Sequence, residues 1–288
     1  MKTYFDCIPC FIRQALDAVR LATQDPDIQE AVLQKVLAAT GSMDLKQTPP
    51  AMGQVIHRLV RELSGNHDPY QSLKTESNHY ALELYPMLRE TVETSAHPME
   101  TAVRLAIAGN IIDLGVSSSV SRNVIDETIT RSLSEPLYGN LEFLWQAADS
   151  AETILYIGDN AGEIVFDCFL VEQLSRDKIT YAVRGGPVIN DATLADAEES
   201  GMARLVKVID NGSDAPGVIL EDCSDRFRQA FESADLIVAK GQGNYETLSH
   251  LEMPIVFLLK AKCPVIAGHI GCRTGTPVAS RARQENAG

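Results

Sequence analysis

The sequence predicts an α/β protein in which a helical domain is followed by a domain built on a mainly parallel sheet. Up to about residue 148 apolar residues recur at helical spacing, whereas beyond it short apolar runs alternate with helical patterns. Repeated strand–helix units of that kind form a parallel sheet covered by helices. We therefore predict a helical domain over residues 1–148 and an α/β domain over residues 149–288.

Length and composition restrict the class of protein. The chain has 288 residues, of which 45% are hydrophobic and 22% charged, as in ordinary globular proteins. Its formal net charge of -14 argues against nucleic acid or an anionic membrane as a partner. The sequence contains no bilayer-spanning apolar run, and its first residues lack a signal-peptide core. We expect a cytoplasmic protein whose six cysteines are reduced thiols.

Four helices are predicted in the first part of the helical domain, each bounded by residues that interrupt helices. They span residues 11–19, 28–39, 51–63 and 73–92. Proline marks their starts because it lacks the N–H that an interior helical position needs, and glycine marks two of their ends. The breaks with proline are Asp25-Pro26, Thr48-Pro49-Pro50 and Asp68-Pro69.

Cys7 and Cys10 form a Cys-x-x-Cys pair at the start of the first helix. Such a pair can share a zinc ion, but a closed zinc site needs four ligands, and the sequence offers no second pair with zinc-finger spacing. A thioredoxin-type redox pair would follow a strand rather than open a helical segment. We favour thiols packed at a helix start, with a redox or zinc element as the alternative.

A further helix is predicted over residues 102–115, where the sequence is apolar nearly all round, so this helix is expected to be buried. Asn110 and Asp113 are three residues apart and share one of its faces. A buried amide and carboxylate must find partners or carry a function. The pair therefore either joins two helices or lines a site, and Gly109 permits close approach of a ligand or another backbone.

The second half alternates strands and helices. Strands are predicted over residues 154–157, 179–183, 205–209, 236–239 and 254–259, with 265–266 extending the last strand or adding one. Helices are predicted over residues 164–174, 191–200 and 224–232. The tail from residue 279 to 288 is expected to be frayed.

Polar residues follow several of these strands. They are Asp159-Asn160, Arg184-Gly185-Gly186, Asp210-Asn211-Gly212 and Lys240-Gly241. The carboxyl ends of parallel strands lie at one edge of a sheet, where α/β proteins bind ligands. Asp159 or Asn160 taken alone is explained equally well as a helix cap, but the convergence of all these residues is harder to explain in that way. Glycine-bearing loops also offer backbone N–H groups to an anion.

Asp191 opens the helix that follows the Gly186 loop, and together with Asp159 and Asn160 it gives a set of oxygen ligands with Lys240 nearby. Carboxylate and amide oxygens suit hard divalent cations such as Mg²⁺ or Mn²⁺. A lysine beside such a site suits a phosphate group on the substrate. The sequence lacks a three-glycine dinucleotide fingerprint, a Walker A loop, a Gly-x-Ser-x-Gly elbow and a histidine pair at metal-binding helical spacing.

Four segments together resemble the DUF89 family, the ARMT1-like metal-dependent damage-control phosphatases. They are Ala108-Gly109-Asn110-Ile111-Ile112-Asp113, Asp159-Asn160-Ala161-Gly162-Glu163, Gly186-Pro187-Val188-Ile189-Asn190-Asp191 and Lys240-Gly241-Gln242-Gly243-Asn244. The resemblance spans nearly the whole chain in the right order, and the Cys7–Cys10 pair looks like the smaller prokaryotic subfamily. It implies a helical region joined to a Rossmann-like three-layer α/β/α domain.

The resemblance also implies roles for residues. It implies a divalent metal, one of Mg, Mn, Co or Ni, held by Asp159, Asn160 and Asp191. It implies phosphate contact by Lys240 and a pocket lined by the helix that carries Asn110. The predicted catalytic residues are Asp159, Asp191 and Lys240, and the predicted substrate-binding residues are Asn110, Asp113, Gly186, Lys240, Gly241 and Asn244.

These residues lead us to expect a phosphatase that hydrolyses a small phosphorylated metabolite, such as a sugar phosphate, with metal-activated water. Asp159 or Asp191 would orient the water or take its proton. A second hypothesis makes Asp159 a nucleophile of the haloacid-dehalogenase type, although Ala161 stands where the second aspartate of that motif would be. A third is a non-catalytic protein that binds a phosphorylated metabolite or a metal.

Overall fold

The computed structural model describes residues 1–110 and 122–282. Residues 1–110 form helices α1 (Cys7–Ala22), α2 (Pro26–Ser42), α3 (Pro49–Ser64), α4 (Gln71–Glu93) and α5 (Pro98–Ala108). The four helices predicted first are confirmed, and α2, α3 and α5 each carry proline in the first turn, where its missing N–H costs no hydrogen bond. The predicted helix over 102–115 matches α5 up to Ala108, and the part from 111 onward lies outside the described residues.

The remaining described residues alternate helices and strands. They form α6 (Arg122–Ser132), β1 (Tyr138–Gly139), α7 (Glu142–Ser150), β2 (Ile154–Ile157), α8 (Glu163–Gln173), β3 (Ile179–Val183), α9 (Leu194–Ser200), α10 (Met202–Leu205), β4 (Lys207–Asp210), α11 (Asp225–Ser233), β5 (Leu236–Lys240), α12 (Gly241–Leu248), β6 (Ile255–Lys260), α13 (Pro264–Ile270) and β7 (Pro277–Arg281). Strands β2 and β3 have the predicted bounds.

The sheet has the order β1-β7-β6-β5-β2-β3-β4. All neighbours pair in parallel except β6 and β7, so the predicted mainly parallel sheet is confirmed. The chain runs outward from β2 through β3 to β4 and then returns to β5, which lies on the other side of β2. The order therefore reverses between β2 and β5, and in open α/β sheets such a switch point is where ligands bind.

Helices cover both faces of the sheet. Side chains alternate along β2, so that Ile154 and Tyr156 enter one hydrophobic core and Leu155 and Ile157 the other. The first core is completed by α5 and α8, and the second by α11, α12 and α13. This arrangement gives three α/β/α layers, as predicted.

Helices α1, α2 and α3 enclose a third core of their own. In contrast α5, which precedes residue 148, packs against α8 on the sheet. The domain boundary at 148 stays a prediction. Among residues 1–110 and 122–282, no helix combines the length and the apolar character needed to cross a membrane.

Two expectations at the C-terminal end were wrong. Residues 265–266 belong to helix α13 rather than to a strand, because Pro264 occupies the first helical turn after the extended Cys263. The tail is not frayed from residue 279, because β7 (Pro277–Arg281) pairs antiparallel with β6 and buries Val278 and Ala279. Residues 283–288 lie outside the described residues.

Candidate functional site

The loop that follows β2 presents Asp159 and Asn160 at the switch point. Gly158 donates its N–H to the Ala182 carbonyl at 2.9 Å and extends the pairing of β2 with β3. A Cβ at Gly158 would overlap the Tyr181 hydroxyl, so a side chain does not fit there. Gly162 then adopts a φ of 72°, which glycine tolerates, and α8 begins at the next residue.

Backbone hydrogen bonds join this loop to the one that carries Asp191. Ala161 donates its N–H to the Asn190 carbonyl at 2.9 Å, and Ala192 donates to the Asp159 carbonyl at 2.8 Å. Asn160 and Asp191 form an isolated antiparallel bridge. The structure therefore brings together the three residues predicted as metal ligands.

Arg184 joins the two carboxylates of this set. Its side chain is only 2% exposed, and its Nε donates to Asp191 Oδ2 at 2.6 Å. Its terminal nitrogen lies 3.8 Å from Asp159 Oδ1 and donates to Asn244 Oδ1 at 3.1 Å. The guanidinium therefore fixes the position of the Asp191 carboxylate and offsets part of the charge of both carboxylates.

Lys240, at the end of β5, lies beneath these residues and is fully buried. Its Nζ donates to the Ala106 carbonyl at 2.8 Å, to Glu163 Oε1 at 2.7 Å and to Asp167 Oδ1 at 2.5 Å. Burial alone would lower the pKa of Lys240, but Asp167 and Glu163 outweigh burial and raise it. The ammonium is thus charged, and all three of its hydrogens are donated to protein oxygens. Phosphate contact by Lys240 stays a prediction.

Asp167 is held by two tyrosines as well as by Lys240. Tyr156 and Tyr181 are register partners on β2 and β3, and their rings stack with centroids 5.1 Å apart. Tyr156 donates its hydroxyl to Asp167 Oδ1 at 2.8 Å, and Tyr181 donates to Oδ2 at 2.7 Å. Burial and the Asp167 charge raise the pKa of both phenols, which keeps them protonated as donors.

Glu163, the first residue of α8, connects Lys240 to the predicted ligands. While its Oε1 accepts from Lys240, its Oε2 accepts from Asn110 Nδ2 and from Asn160 Nδ2, each at 2.9 Å. The same two amide nitrogens also donate to Asp159 Oδ2, at 3.2 and 3.0 Å. Two amides therefore bridge two carboxylates at the centre of the site.

Negative charge exceeds positive charge in this cluster. Burial raises the pKa of Asp159 well above its ordinary value, and the charges of Glu163 and Asp191 raise it further. The charges of Arg184 and, to a smaller extent, the exposed Lys262 oppose that rise. The cluster holds two more carboxylates than cations: its carboxylates are Asp159, Glu163, Asp167 and Asp191, and its cations are Arg184 and Lys240.

The donor set fits a divalent cation. The cluster has two more carboxylates than cations, and the buried Asn110 Oδ1 has no hydrogen-bond partner among the described residues. Within the described ranges, no group of three or more Asp, Glu, His or Cys side chains is arranged around a common point that would hold an ion. The candidate ligand set instead combines the carboxylates of Asp159 and Asp191 with the amide of Asn160.

Comparison with known proteins identifies the family. A model of the damage-control phosphatase ARMT1-like domain matches residues 3–278. The chain belongs to the ARMT1-like family. It is 36% identical to the damage-control phosphatase PH1575 of Pyrococcus horikoshii, with 98% of each chain covered. It is 37% identical to a damage-control phosphatase of Archaeoglobus fulgidus, over 95% of this chain and 96% of the relative.

Another relative is the uncharacterized protein MJ0202 of Methanocaldococcus jannaschii, which is 39% identical over 95% of this chain and 93% of its own length. Among solved structures, the DUF89 family protein ph1575 of Pyrococcus horikoshii superposes with a TM-score of 0.90 at 35% identity. That match covers 98% of this chain and all of the other chain, so the ARMT1-like fold extends over essentially the whole molecule.

The other predicted site residues of this ARMT1-like chain lie at different depths. Gly241 has a φ of 77° and a Cβ there would overlap the Asp159 carboxylate, so the start of α12 lies against Asp159. Asn244 is fully buried behind the site and donates to the Gly158 and Lys240 carbonyls. Gly186 is half-buried with room for a side chain, and Asp113 lies outside the described residues. Their contacts with substrate stay predictions.

Sequence reasoning assigned no role to Glu163, Asp167 or the two tyrosines of the ARMT1-like site. One signal was available, because Glu163 and Asp167 are four residues apart in a stretch of α8, residues 163–171, that is otherwise apolar, and so share a buried face. No such signal exists for Tyr156 and Tyr181, since only the strand register places their hydroxyls together.

The Cys-x-x-Cys pair lies at the first turn of α1. Cys7 is half-buried, Cys10 is exposed, and both are free thiols. Burial raises the pKa of Cys7, which disfavours the reactive thiolate. Both thiols lie at a helix start, but only Cys7 packs against the third core, whereas Cys10 is exposed and does not; a redox or zinc role stays a prediction.

Proposed function

We propose that this chain is a divalent-metal-dependent phosphatase that hydrolyses small phosphorylated metabolites. The observation that carries the proposal is the convergence of Asp159, Asn160 and Asp191 at the switch point of the sheet, in a cluster with two more carboxylates than cations. The relatives named damage-control phosphatases support the same reaction class.

Asp159, Asn160 and Asp191 would hold the cation, which would be Mg, Mn, Co or Ni. When bound, the cation supplies a Lewis acid that polarises a phosphate oxygen and lowers the pKa of a water molecule. Asp159 or Asp191 would orient that water or accept its proton. Arg184, fixed between them, offsets negative charge that develops on the phosphoryl group.

The phosphate would lie against main-chain N–H groups. The start of α12 at Gly241 lies against Asp159, and the glycine loop at Gly186 follows β3 at the same edge of the sheet. Helix N-termini and glycine loops both bind anions. In this arrangement Lys240 acts on the pocket through Glu163, because direct phosphate contact requires it to release one of its present acceptors.

Hydrolysis of p-nitrophenyl phosphate and of a panel of sugar phosphates tests the proposal. The purified chain is treated with EDTA, freed of the chelator and assayed with Mg²⁺, Mn²⁺, Co²⁺ or Ni²⁺. We expect activity that requires one of these ions and is lost in an Asp159→Asn variant. The Asp225→Asn variant, which changes an exposed aspartate on α11, should keep that activity. Absence of turnover with every ion and every substrate would refute the phosphatase assignment.

A further inference from the structure

Two side-chain amides at the site are oriented by the same carboxylate oxygen. Asn110 Nδ2 and Asn160 Nδ2 each lie 2.9 Å from Glu163 Oε2. Each nitrogen also donates to Asp159 Oδ2, so both of its hydrogens are used. An amide whose nitrogen is held in this way directs its carbonyl oxygen to the opposite side. For Asn110 that oxygen is buried and has no hydrogen-bond partner among the described residues.

Glu163 suits the orientation of the two amides because an ionised carboxylate accepts hydrogen bonds and donates none. It is 1% exposed, and Lys240 occupies its other oxygen at 2.7 Å. The lysine is in turn fixed by Asp167, which Tyr156 and Tyr181 hold in place. The carboxylate therefore has one orientation, with Oε2 facing the two amides.

We propose that Glu163 is a positioning residue that turns the carbonyl oxygens of Asn110 and Asn160 toward the bound cation and its ligands. This role rests on the proposed function, since it presumes that a divalent cation occupies the site. Glu163 does not touch the cation or the substrate. It acts through the amides, so its loss weakens cation binding without removing a ligand.

A simpler explanation is that Glu163 only neutralises the buried Lys240, and the structure contains a matched control for it. Asp167 is equally buried and accepts from the same ammonium, at 2.5 Å, but its other partners are tyrosine hydroxyls rather than the amides. In Asp167→Asn the amide oxygen can still accept from Lys240 and Tyr156. The amide nitrogen replaces the oxygen that faces Tyr181, and it can donate to the Tyr181 hydroxyl, which can also accept, so every group keeps a partner.

Glu163→Gln has no such solution. If its new NH₂ group faces Lys240, two donors oppose each other. If it faces the amides, Asn110 and Asn160 must turn their oxygens away from the site to accept from it. Removing an outer partner of a metal ligand typically costs about 10–100-fold in metal affinity. Both variants remove one carboxylate charge of the cluster, so the difference between them measures the orientation of the amides; we expect Glu163→Gln to weaken Mn²⁺ binding at least about tenfold more than Asp167→Asn does.

The experiment is calorimetric titration of MnCl₂ into the EDTA-treated full-length wild type and both variants, with the melting temperature in EDTA as a check of folding; the wild type is also titrated with Mg²⁺, Co²⁺ and Ni²⁺. Unchanged Mn²⁺ affinity in Glu163→Gln would overturn the positioning role. Equal loss in the two variants would also overturn it, in favour of lysine neutralisation. If the wild type binds none of the four divalent ions, the proposed function itself fails, which is a different outcome from failure of the variant alone.

A crystal structure of the wild type with Mn²⁺ keeps the test decisive if Glu163→Gln does not fold. We expect the Asn160 oxygen toward the ion and its nitrogen within hydrogen-bond distance of Glu163 Oε2. Direct coordination of the ion by Glu163, or an Asn160 nitrogen turned away from it, would refute the proposal.

Discussion

Asp159→Asn separates a metal ligand from a helix cap, because Asn and Asp are about equally good caps while a hard cation prefers a carboxylate. The side chain is 11% exposed, and its Oδ2 accepts from two amides. The new Asn can keep its oxygen on that side, so the hydrogen bonds survive. The charge facing Arg184 and the cation is lost.

The expected magnitude follows from ligand-linked stabilisation. A cation that binds only the folded chain stabilises it by about 2.7 kcal/mol at a concentration of about 100 times Kd. For a chain of this size that corresponds to a rise in Tm on the order of 5–10 °C. Without metal the variant should melt no lower than the wild type, because Glu163 and Asp191 repel the Asp159 charge.

Thermal denaturation with EDTA and with saturating Mn²⁺ measures both effects. The wild type should gain stability with the ion, Asp159→Asn should gain little, and Asp225→Asn should behave as the wild type. An equal gain of Tm in Asp159→Asn and the wild type would refute the assignment of Asp159 as a ligand.

Two further predictions concern the site and the stability of the fold. Gly241→Ala should lose Mn²⁺-induced stabilisation in the same melting assay, because its Cβ would displace the Asp159 carboxylate, whereas Gly268→Ala, with open space around its Cβ, should be neutral or stabilising. Burial lowers the pKa of His57 from 6.5 to about 3, so its contribution to stability is complete above the unfolded pKa and is lost as pH falls toward 3. Urea unfolding should show that, between pH 8 and pH 5, the free energy of unfolding falls by about 2 kcal/mol more in the wild type than in His57→Gln. His97 is exposed, so His97→Gln should follow the wild type. Equal losses of stability in all three proteins would contradict the assignment of this pH dependence to His57.

The fold was predictable where local pattern and burial agree. Strands β2 and β3 are short apolar runs buried on both faces, and their bounds follow from the sequence alone. Strand β7 was missed because it pairs with β6 antiparallel at the edge of an otherwise parallel sheet, which no local pattern signals. The pair Val265-Ile266 is too short to distinguish strand from helix, and Pro264 decided for the helix.

The site was predictable only in its outer part. Asp159, Asn160 and Asp191 follow strands, and the meeting of strand ends at one edge is a property of all parallel sheets. The inner residues depend instead on packing between elements distant in sequence. Glu163 reaches Asn110 only because α5 lies on α8, where Gly109 brings its backbone so close that a Cβ would lie 3.0 Å from Phe166 Cβ.

This packing explains why the geometry of the site derives from the core rather than from its loops. Lys240 ends the central strand β5, and its three acceptors lie on α5 and α8, so one fully buried ammonium ties together the sheet and both helices. A buried charge is stable only when paired and hydrogen-bonded, and here the pairing also fixes Glu163. Lys240 carries one positive charge but contacts two carboxylates, those of Glu163 and Asp167. It therefore does not also offset the carboxylates of the candidate metal ligands. The buried core beneath the site therefore maintains an excess of carboxylates, whose ionised form a divalent cation would stabilise.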